Sequence, residues 1–233
     1  MNNPVYSMDR TQVQTRVNSF VRSVYNWMAA GLALTGFVAY FVASDPTLFR
    51  IAQKGFFLFA IAELVLVIAL SARINRLQAG TATGLFLGYA FLNGVTFSYI
   101  FAIYTQTAIA STFFVCAVTF GALSLYGWAT KRDLTGVGSF MMMGLIGILI
   151  ASVVNIFVHS SGMQMIISYI GVIIFAGLTA YDTQTIKQMA LSQPDGMDGA
   201  VVRKGAIIGA LKLYLDFILL FQYLLYIFGG RRD

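Results

Sequence analysis

The chain has 233 residues, of which 58% are hydrophobic and only 10% are charged. Soluble domains carry about a quarter charged residues, so this composition excludes a soluble globular domain and favours a membrane domain. One cysteine and one histidine, Cys116 and His159, exclude an intrachain disulfide and a Cys/His metal cluster. We assign the net charge of +6 to membrane orientation, because the basic residues lie in short connections between apolar segments. No nucleic-acid partner and no cofactor are expected.

Seven apolar windows approach the length of about 20 residues that a helix needs to cross a bilayer. They cover residues 24–43, 55–70, 82–104, 108–129, 138–159, 165–181 and 206–228. The predicted fold class is therefore all-α integral membrane, with seven transmembrane helices. The predicted domains are a polar N-terminal segment (1–23), the membrane domain (24–229) and a short tail (230–233).

The segment before the first window has amphipathic character, since apolar residues recur there at helical spacing. The recurring residues are Val13, Val17, Phe20, Val21 and Val24. The window that follows is too long for a signal-peptide core, so it is interpreted as a retained span. The sixth window has an apolar continuation through Ile186 and Met189, and 192–204 is the only substantial predicted loop.

The distribution of lysine and arginine predicts the orientation of the chain. One side of the predicted membrane carries ten basic residues: Arg10, Arg16, Arg22, Arg73, Arg76, Lys131, Arg132, Lys187, Arg203 and Lys204. The other side carries four: Arg50, Lys54, Arg231 and Arg232. The richer side is expected to be cytoplasmic. This places the N-terminus inside and the C-terminus outside, unless the last window re-enters the membrane, in which case both ends are cytoplasmic.

Small residues at a spacing of four predict close contacts between helices. Gly84 and Gly88 form such a pair, as do Gly205 and Gly209, and Ala176 and Ala180. Small side chains let backbones approach within a membrane, where dispersion replaces the hydrophobic drive. Structural packing is the predicted role of all three pairs.

Three carboxylates lie within the apolar windows or at their edge. Glu63 and Asp216 are mid-span, and Asp182 lies toward the cytoplasmic end of the sixth helix. A carboxylate at the centre of a membrane helix costs about 2.5–3.5 kcal/mol on insertion scales, so all three are expected to face inward and to have partners. Two interpretations stay open: neutral carboxyls that tie helices together, or an ion or proton site.

Basic partners for these carboxylates are available, each with an alternative role. Lys212 lies four residues before Asp216 and on the same helix face, or else reaches for the cytoplasmic surface. Arg73 and Arg76 lie at the end of the second helix, on the same predicted side of the membrane as Asp182. Each of them could cap Asp182 or bind lipid headgroups.

If Asp182 and Asp216 meet, they titrate as a unit that shares one proton. A hydrogen bond then joins them, whereas two ionised carboxylates repel each other, so the pair is a pH-dependent latch between the last two helices. Fully ionised, their oxygens are also suitable ligands for a hard cation such as Ca²⁺.

Three segments carry a resemblance to a known family. They are GLTAYDTQTIK around Asp182, ALKLYLDFILLF around Asp216, and Glu63 followed by SARINR. With the seven-window pattern, these segments make the chain similar to the Bax-inhibitor family of transmembrane proteins, and to its bacterial inner-membrane members above all. The resemblance covers about residues 15–229.

The resemblance implies two layers of three helices around a central C-terminal helix. It implies that Asp182 and Asp216 are the family's paired aspartates, a pH sensor controlling a passive Ca²⁺ leak. It also implies that an arginine at the position of Arg73 or Arg76 latches the pair. Lys212 departs from the family's pattern. A cation one helical turn from Asp216 would oppose Ca²⁺ binding if it faced the pore.

The predicted function is thus a pH-sensitive cation leak, with Ca²⁺ as permeant ion, through the bacterial inner membrane. The alternative is a regulator that binds a membrane-anchored ATP-dependent protease, as some bacterial relatives do. A proton-coupled transporter ranks lower, because the two halves show no internal repeat. No enzyme is expected, since Asp216 follows Leu-Tyr-Leu and not the Gly-x-Gly of intramembrane aspartyl proteases.

Overall fold

The computed structural model describes residues 10–74, 76–194 and 197–229, except for the side chains of Arg10 and Thr11. The helices of this part are α1 (Arg10–Ser44), α2 (Pro46–Lys54), α3 (Phe56–Arg73), α4 (Ala79–Phe97), α5 (Ile100–Ile103), α6 (Gln106–Ala129), α7 (Thr135–Val158), α8 (Ser161–Leu191) and α9 (Gly199–Phe228). Seven stretches in the described ranges are long and apolar enough to cross a membrane, with α4 and α5 together forming one. The predicted all-α membrane fold is confirmed.

Several boundaries differ from the predicted ones. The boundary predicted at residue 23 does not coincide with a helix end, because α1 runs unbroken from Arg10 into the first span. The short helix α2 occupies a predicted connection. The predicted loop 192–204 is shorter, since α9 begins at Gly199. Predictions that involve Asp195, Gly196 or the tail 230–233 lie outside the described residues.

Polar side chains define where several helices begin. Asp45 accepts hydrogen bonds from the amides of Thr47 and Leu48 at 2.7 and 3.0 Å, and Pro46 follows it at the first turn of α2. Ser160 and Asp198 cap α8 and α9 in the same way. These caps satisfy amides that have no partner within the helix, and thereby fix the helix starts.

The last helix lies at the centre of the bundle. In the described part of the chain, α9 packs against α1, α4, α6 and α8. In its most apolar stretch 67% of the residues are buried, against 6% for α3, whose Phe57 and Leu58 point outward. Outward-facing apolar side chains on α3 and α7 are what lipid contact requires. The central position of α9 agrees with the resemblance, whereas the two layers of three helices stay a prediction.

Only some of the predicted small-residue pairs form helix contacts. A Cβ built on Gly209 would lie 3.1 Å from Val24 and 3.3 Å from Ile186, so α9 approaches both α1 and α8 there. The prediction for Gly84 and Gly88 was wrong within the described residues, because a Cβ at either position would meet nothing within 4 Å. Both glycines lie away from the faces that α4 turns to its neighbours.

Candidate functional site: a buried aspartate pair

Asp182 on α8 and Asp216 on α9 are both buried, with 9% and 3% of their surface exposed. Residues on both sides of each aspartate are buried too, because α8 and α9 pack closely along this stretch. The two carboxylates lie close enough to interact electrostatically. The two acidic side chains that the sequence placed at different depths are therefore neighbours, although no hydrogen bond joins their carboxyls among the described residues.

Lys212 joins the two helices at this level. Its Nζ donates to Asp182 Oδ1 at 3.1 Å, and it also lies close enough to Asp216 to interact with it electrostatically. This contact agrees with Lys212 as a partner of the carboxylates, while 40% of its side chain is exposed and its reach for the cytoplasmic surface stays a prediction. The cation predicted as a neighbour of Asp216 is bonded directly to Asp182.

Asp216 is the less satisfied member of the pair. Its Oδ2 atom is buried and has no hydrogen-bond partner among the described residues. A buried oxygen without a donor is costly in a low dielectric medium, whether the carboxyl is neutral or charged. The inventory of the site is thus two carboxyls and one ammonium, with one carboxylate oxygen open to a further proton or cation.

The predicted arginine latch has a different geometry. Arg73 at the end of α3 and Arg76 after it are both exposed, and α3 packs on α4. Within the described residues neither arginine forms an ion pair with Asp182, whose cationic partner is Lys212. The latching role of Arg73 or Arg76 stays a prediction that this arrangement does not support.

Beyond Asp182, α8 holds the connection between α6 and α7. The Gln184 side chain accepts from the amide of Leu134 and donates to the carbonyl of Arg132, both at 2.8 Å. One turn later, Lys187 donates to the carbonyl of Trp128 at 2.7 Å. These bonds fix the end of α8 that carries Asp182. The sequence does not predict them, because neither Gln184 nor Lys187 stands out in the polar end of a helix.

Glu63 belongs to a second polar cluster. Its carboxylate accepts from Thr96 Oγ1 at 2.8 Å and from Asn93 Nδ2 at 3.2 Å, both on α4. No direct contact joins Glu63 to either aspartate in the described part of the chain. Glu63 is connected to α9 through Asn93. The Tyr214 hydroxyl on α9 lies 3.2 Å from Asn93 Oδ1 and 2.6 Å from Thr35 Oγ1.

The cluster around Glu63 ties α1, α3, α4 and α9 together at one depth. It borders a cavity of about 230 Å³ that Tyr99 and Gln222 also line. The expectation that Glu63 faces inward with partners agrees with this arrangement. Asn93 was missed, although an amide in the middle of an apolar span is a signal that a search beyond charged residues would find.

Comparison with known proteins places this geometry in a family. Residues 17–233 match the protein family described as inhibitor of apoptosis-promoting Bax1. The chain belongs to the Bax-inhibitor family. The resemblance inferred from the segments around Asp182 and Asp216 is thereby confirmed.

Bacterial relatives match the chain nearly end to end. The inner membrane protein YbhL of Escherichia coli is 49% identical, over 95% of both chains. An uncharacterized protein of Borreliella burgdorferi is 43% identical, over 97% of this chain and 99% of the relative. An uncharacterized membrane protein of Streptococcus pyogenes is 38% identical, over 96% and 97% respectively.

In this Bax-inhibitor chain, the aspartate pair offers few ligands for a metal ion. Ca²⁺ takes six to eight oxygen ligands in a stable site. No third carboxylate, histidine or cysteine completes a cluster with the pair among the described residues. Asp182 Oδ1 is already bonded to Lys212. Among the described residues, the pair therefore supplies fewer ligands than a tight Ca²⁺ site needs.

Proposed function

We propose that this protein is a pH-sensitive passive leak for cations, Ca²⁺ above all, and that it has no catalytic activity. One observation carries the proposal: the buried Asp216 carboxylate, with an unpartnered oxygen, beside the ion pair of Asp182 and Lys212. Ionisable groups inside a membrane are expensive and mark ion or proton pathways.

Charge balance gives the mechanism. With both carboxyls ionised and Lys212 protonated, the three groups sum to a net charge of −1, which one proton on the pair would neutralise. In a medium of low dielectric the neutral state is favoured, so α8 and α9 stay together. When the proton leaves, the repulsion between the carboxylates loosens the two helices, and a cation takes the place of the proton.

Other groups around the pair are neutral. From α1, the Tyr25 hydroxyl lies 3.4 Å from Thr183, and from α6 Ser124 lies 3.4 Å from the same side chain. Cys116 on α6 donates its thiol to the carbonyl of Phe217 at 3.7 Å. Lys212, Asp182 and Asp216 are therefore the charged groups of this site in the described residues, and the pH response is assigned to them.

We place the protein in the bacterial inner membrane, with its N-terminus in the cytoplasm. Two observations support this placement: a relative 49% identical to the chain is named an inner membrane protein, and basic residues are concentrated on one side of the spans. In this orientation, the exposed part of Lys212 faces the cytoplasmic half of the bilayer. The pair would then respond to cytoplasmic pH.

The test is Ca²⁺ flux into liposomes that contain the purified protein, measured from mildly acidic to mildly alkaline pH. Wild type is expected to leak Ca²⁺ in a pH-dependent manner. Asp216→Asn should abolish that dependence, because the amide keeps the shape of the carboxyl and cannot exchange a proton.

The matched control is Asp133→Asn, which makes the same chemical change at an exposed residue in the connection before α7. It should leave the pH profile of the flux unchanged. Identical profiles for wild type and Asp216→Asn would refute the proposal.

A further inference from the structure

A large cavity lies apart from the aspartate pair, at the end of the bundle that we place in the cytoplasm. It has a volume of about 850 Å³ and lies between α1, the residues that precede α9, and the first turns of α9. The residues of α1 that line it recur every three or four positions from Gln12 to Trp27, so one complete face of the helix points into the cavity. Apart from Trp27, this face belongs to the part of α1 that the sequence assigned to a polar segment.

The walls combine cationic, hydroxyl and aromatic groups. Arg16 and Arg203 come from opposite sides, and the hydroxyl residues are Thr15, Ser19 and Ser23. The apolar part of the lining includes Phe20, Trp27 and Val202. Guanidinium and hydroxyl donors next to apolar carbon match a ligand with a phosphate at one end and hydrocarbon at the other.

The position of Arg203 is set by an aromatic contact. Its guanidinium lies over the Trp27 ring, 5.5 Å from the ring centroid, while the rest of the side chain is exposed. A cation over a tryptophan face is held electrostatically and keeps its outer N–H groups for a further partner. Trp27 lies at the start of the first predicted span, so this pair is at the level of lipid headgroups.

We propose that this cavity binds the headgroup of an anionic phospholipid from the cytoplasmic leaflet, with the phosphate on the Arg203 guanidinium. Basic pockets between membrane helices on the cytoplasmic side are suited to such headgroups. Asp198, an acidic residue next to the cavity, directs one carboxylate oxygen to the start of α9, where it accepts from the amide of Ala200 at 3.0 Å. The depth of Trp27 favours a membrane lipid over a soluble phosphate compound.

Trp27 supplies the probe for a test. The chain has two tryptophans, so Trp128→Phe leaves Trp27 as the only one. This protein is placed in phosphatidylcholine vesicles that contain a minor fraction of a lipid with brominated acyl chains, which quench nearby tryptophan fluorescence. Brominated phosphatidylglycerol should quench Trp27 as if enriched roughly fivefold over brominated phosphatidylcholine, as one basic contact at a membrane surface would give.

Three substitutions distinguish binding at Arg203 from nonspecific attraction of anionic lipid by the positive charge of the protein. Arg203→Gln should remove the preference, and Arg203→Lys should keep most of it, because the positive charge is retained. Arg50→Gln, the matched control, removes an exposed arginine of α2 on the opposite predicted side of the membrane and should keep the preference in full. Equal quenching by both brominated lipids, or a preference that survives Arg203→Gln, would overturn the proposal.

Competition with inorganic phosphate distinguishes a lipid headgroup from a free phosphate ion as the ligand. Added to the vesicles, it should not displace brominated phosphatidylglycerol, since a free ion lacks the hydrocarbon that the apolar wall accepts. Displacement by phosphate would assign the cavity to a soluble anion and refute a lipid ligand. Thermal unfolding of each variant confirms that the comparison is made on folded protein.

Discussion

Lys212 determines how the aspartate pair behaves in this protein. A cation bonded to Asp182 at 3.1 Å compensates one of the two carboxylates, so the other can ionise at a lower electrostatic cost than in a bare pair. The same cation repels Ca²⁺ at the site. In the proposed leak, Lys212 therefore eases loss of the shared proton, but it opposes the entry of Ca²⁺ once the site is ionised.

Substitution of Lys212 should accordingly increase Ca²⁺ passage. At the pH of greatest leak, Lys212→Gln is expected to raise the flux roughly tenfold, because one like charge a few ångström away contributes more than about 1.4 kcal/mol even at an effective dielectric of about 20. The liposome flux assay measures it. Lys131→Gln, which removes an exposed lysine between α6 and α7, serves as the control, and an unchanged or lower flux in Lys212→Gln would contradict this role.

At the scale of the elements, α8 owes its position to close backbone contact with α6. A Cβ on Gly127 would collide with the carbonyl oxygen of Ala180, two residues before Asp182. Membrane helices without a hydrophobic drive between them gain stability from such approaches, which only small residues permit. The sequence predicted Ala180 as a packing residue, but its partner is a glycine with no small-residue spacing to reveal it.

Gly127→Ala should therefore force α6 away from α8 and destabilise the fold by about 1–3 kcal/mol, the usual cost of overpacking. Thermal unfolding in detergent measures the effect. Gly121→Ala on the same helix is the matched control, since its Cβ would meet nothing within 4 Å. It should be neutral or slightly stabilising, because alanine favours helix. Equal stability of the two variants would show that α6 and α8 do not approach closely at Gly127.

For the whole molecule, the excess of lysine and arginine on one side of the membrane predicts which ends of the helices face the cytoplasm. Lys54 and Lys131 are exposed residues in connections on opposite predicted sides. In a Cys116→Ala background, Lys54→Cys should react with a membrane-impermeant maleimide in intact spheroplasts. Lys131→Cys should react only after the membrane is permeabilised. The reverse pattern would invert the orientation, and with it the assignment of the lipid cavity to the cytoplasmic leaflet.

The predicted partner, a membrane-anchored ATP-dependent protease, stays a prediction at this scale. The candidate contact surface for such a partner is the face of α1 from Gln12 to Trp27. A protein that bound there would compete with the proposed lipid. The brominated-lipid assay would then report the competition directly.

The sequence alone determined the membrane fold and singled out the candidate carboxylates. Both follow from local chemistry: a run of apolar residues has few alternatives to a spanning helix, and a carboxylate within it is conspicuous because it is costly. The family followed from the segments around Asp182 and Asp216. Only the tertiary structure decided that Lys212 bonds Asp182, that Gly127 and not Gly84 meets a neighbour, and that Asn93 links Glu63 to Tyr214. Such contacts join residues far apart in the chain, and they depend on how each helix is rotated about its axis. A pattern that is apolar on nearly every face does not encode that rotation, because lipid and protein neighbours accept the same side chains.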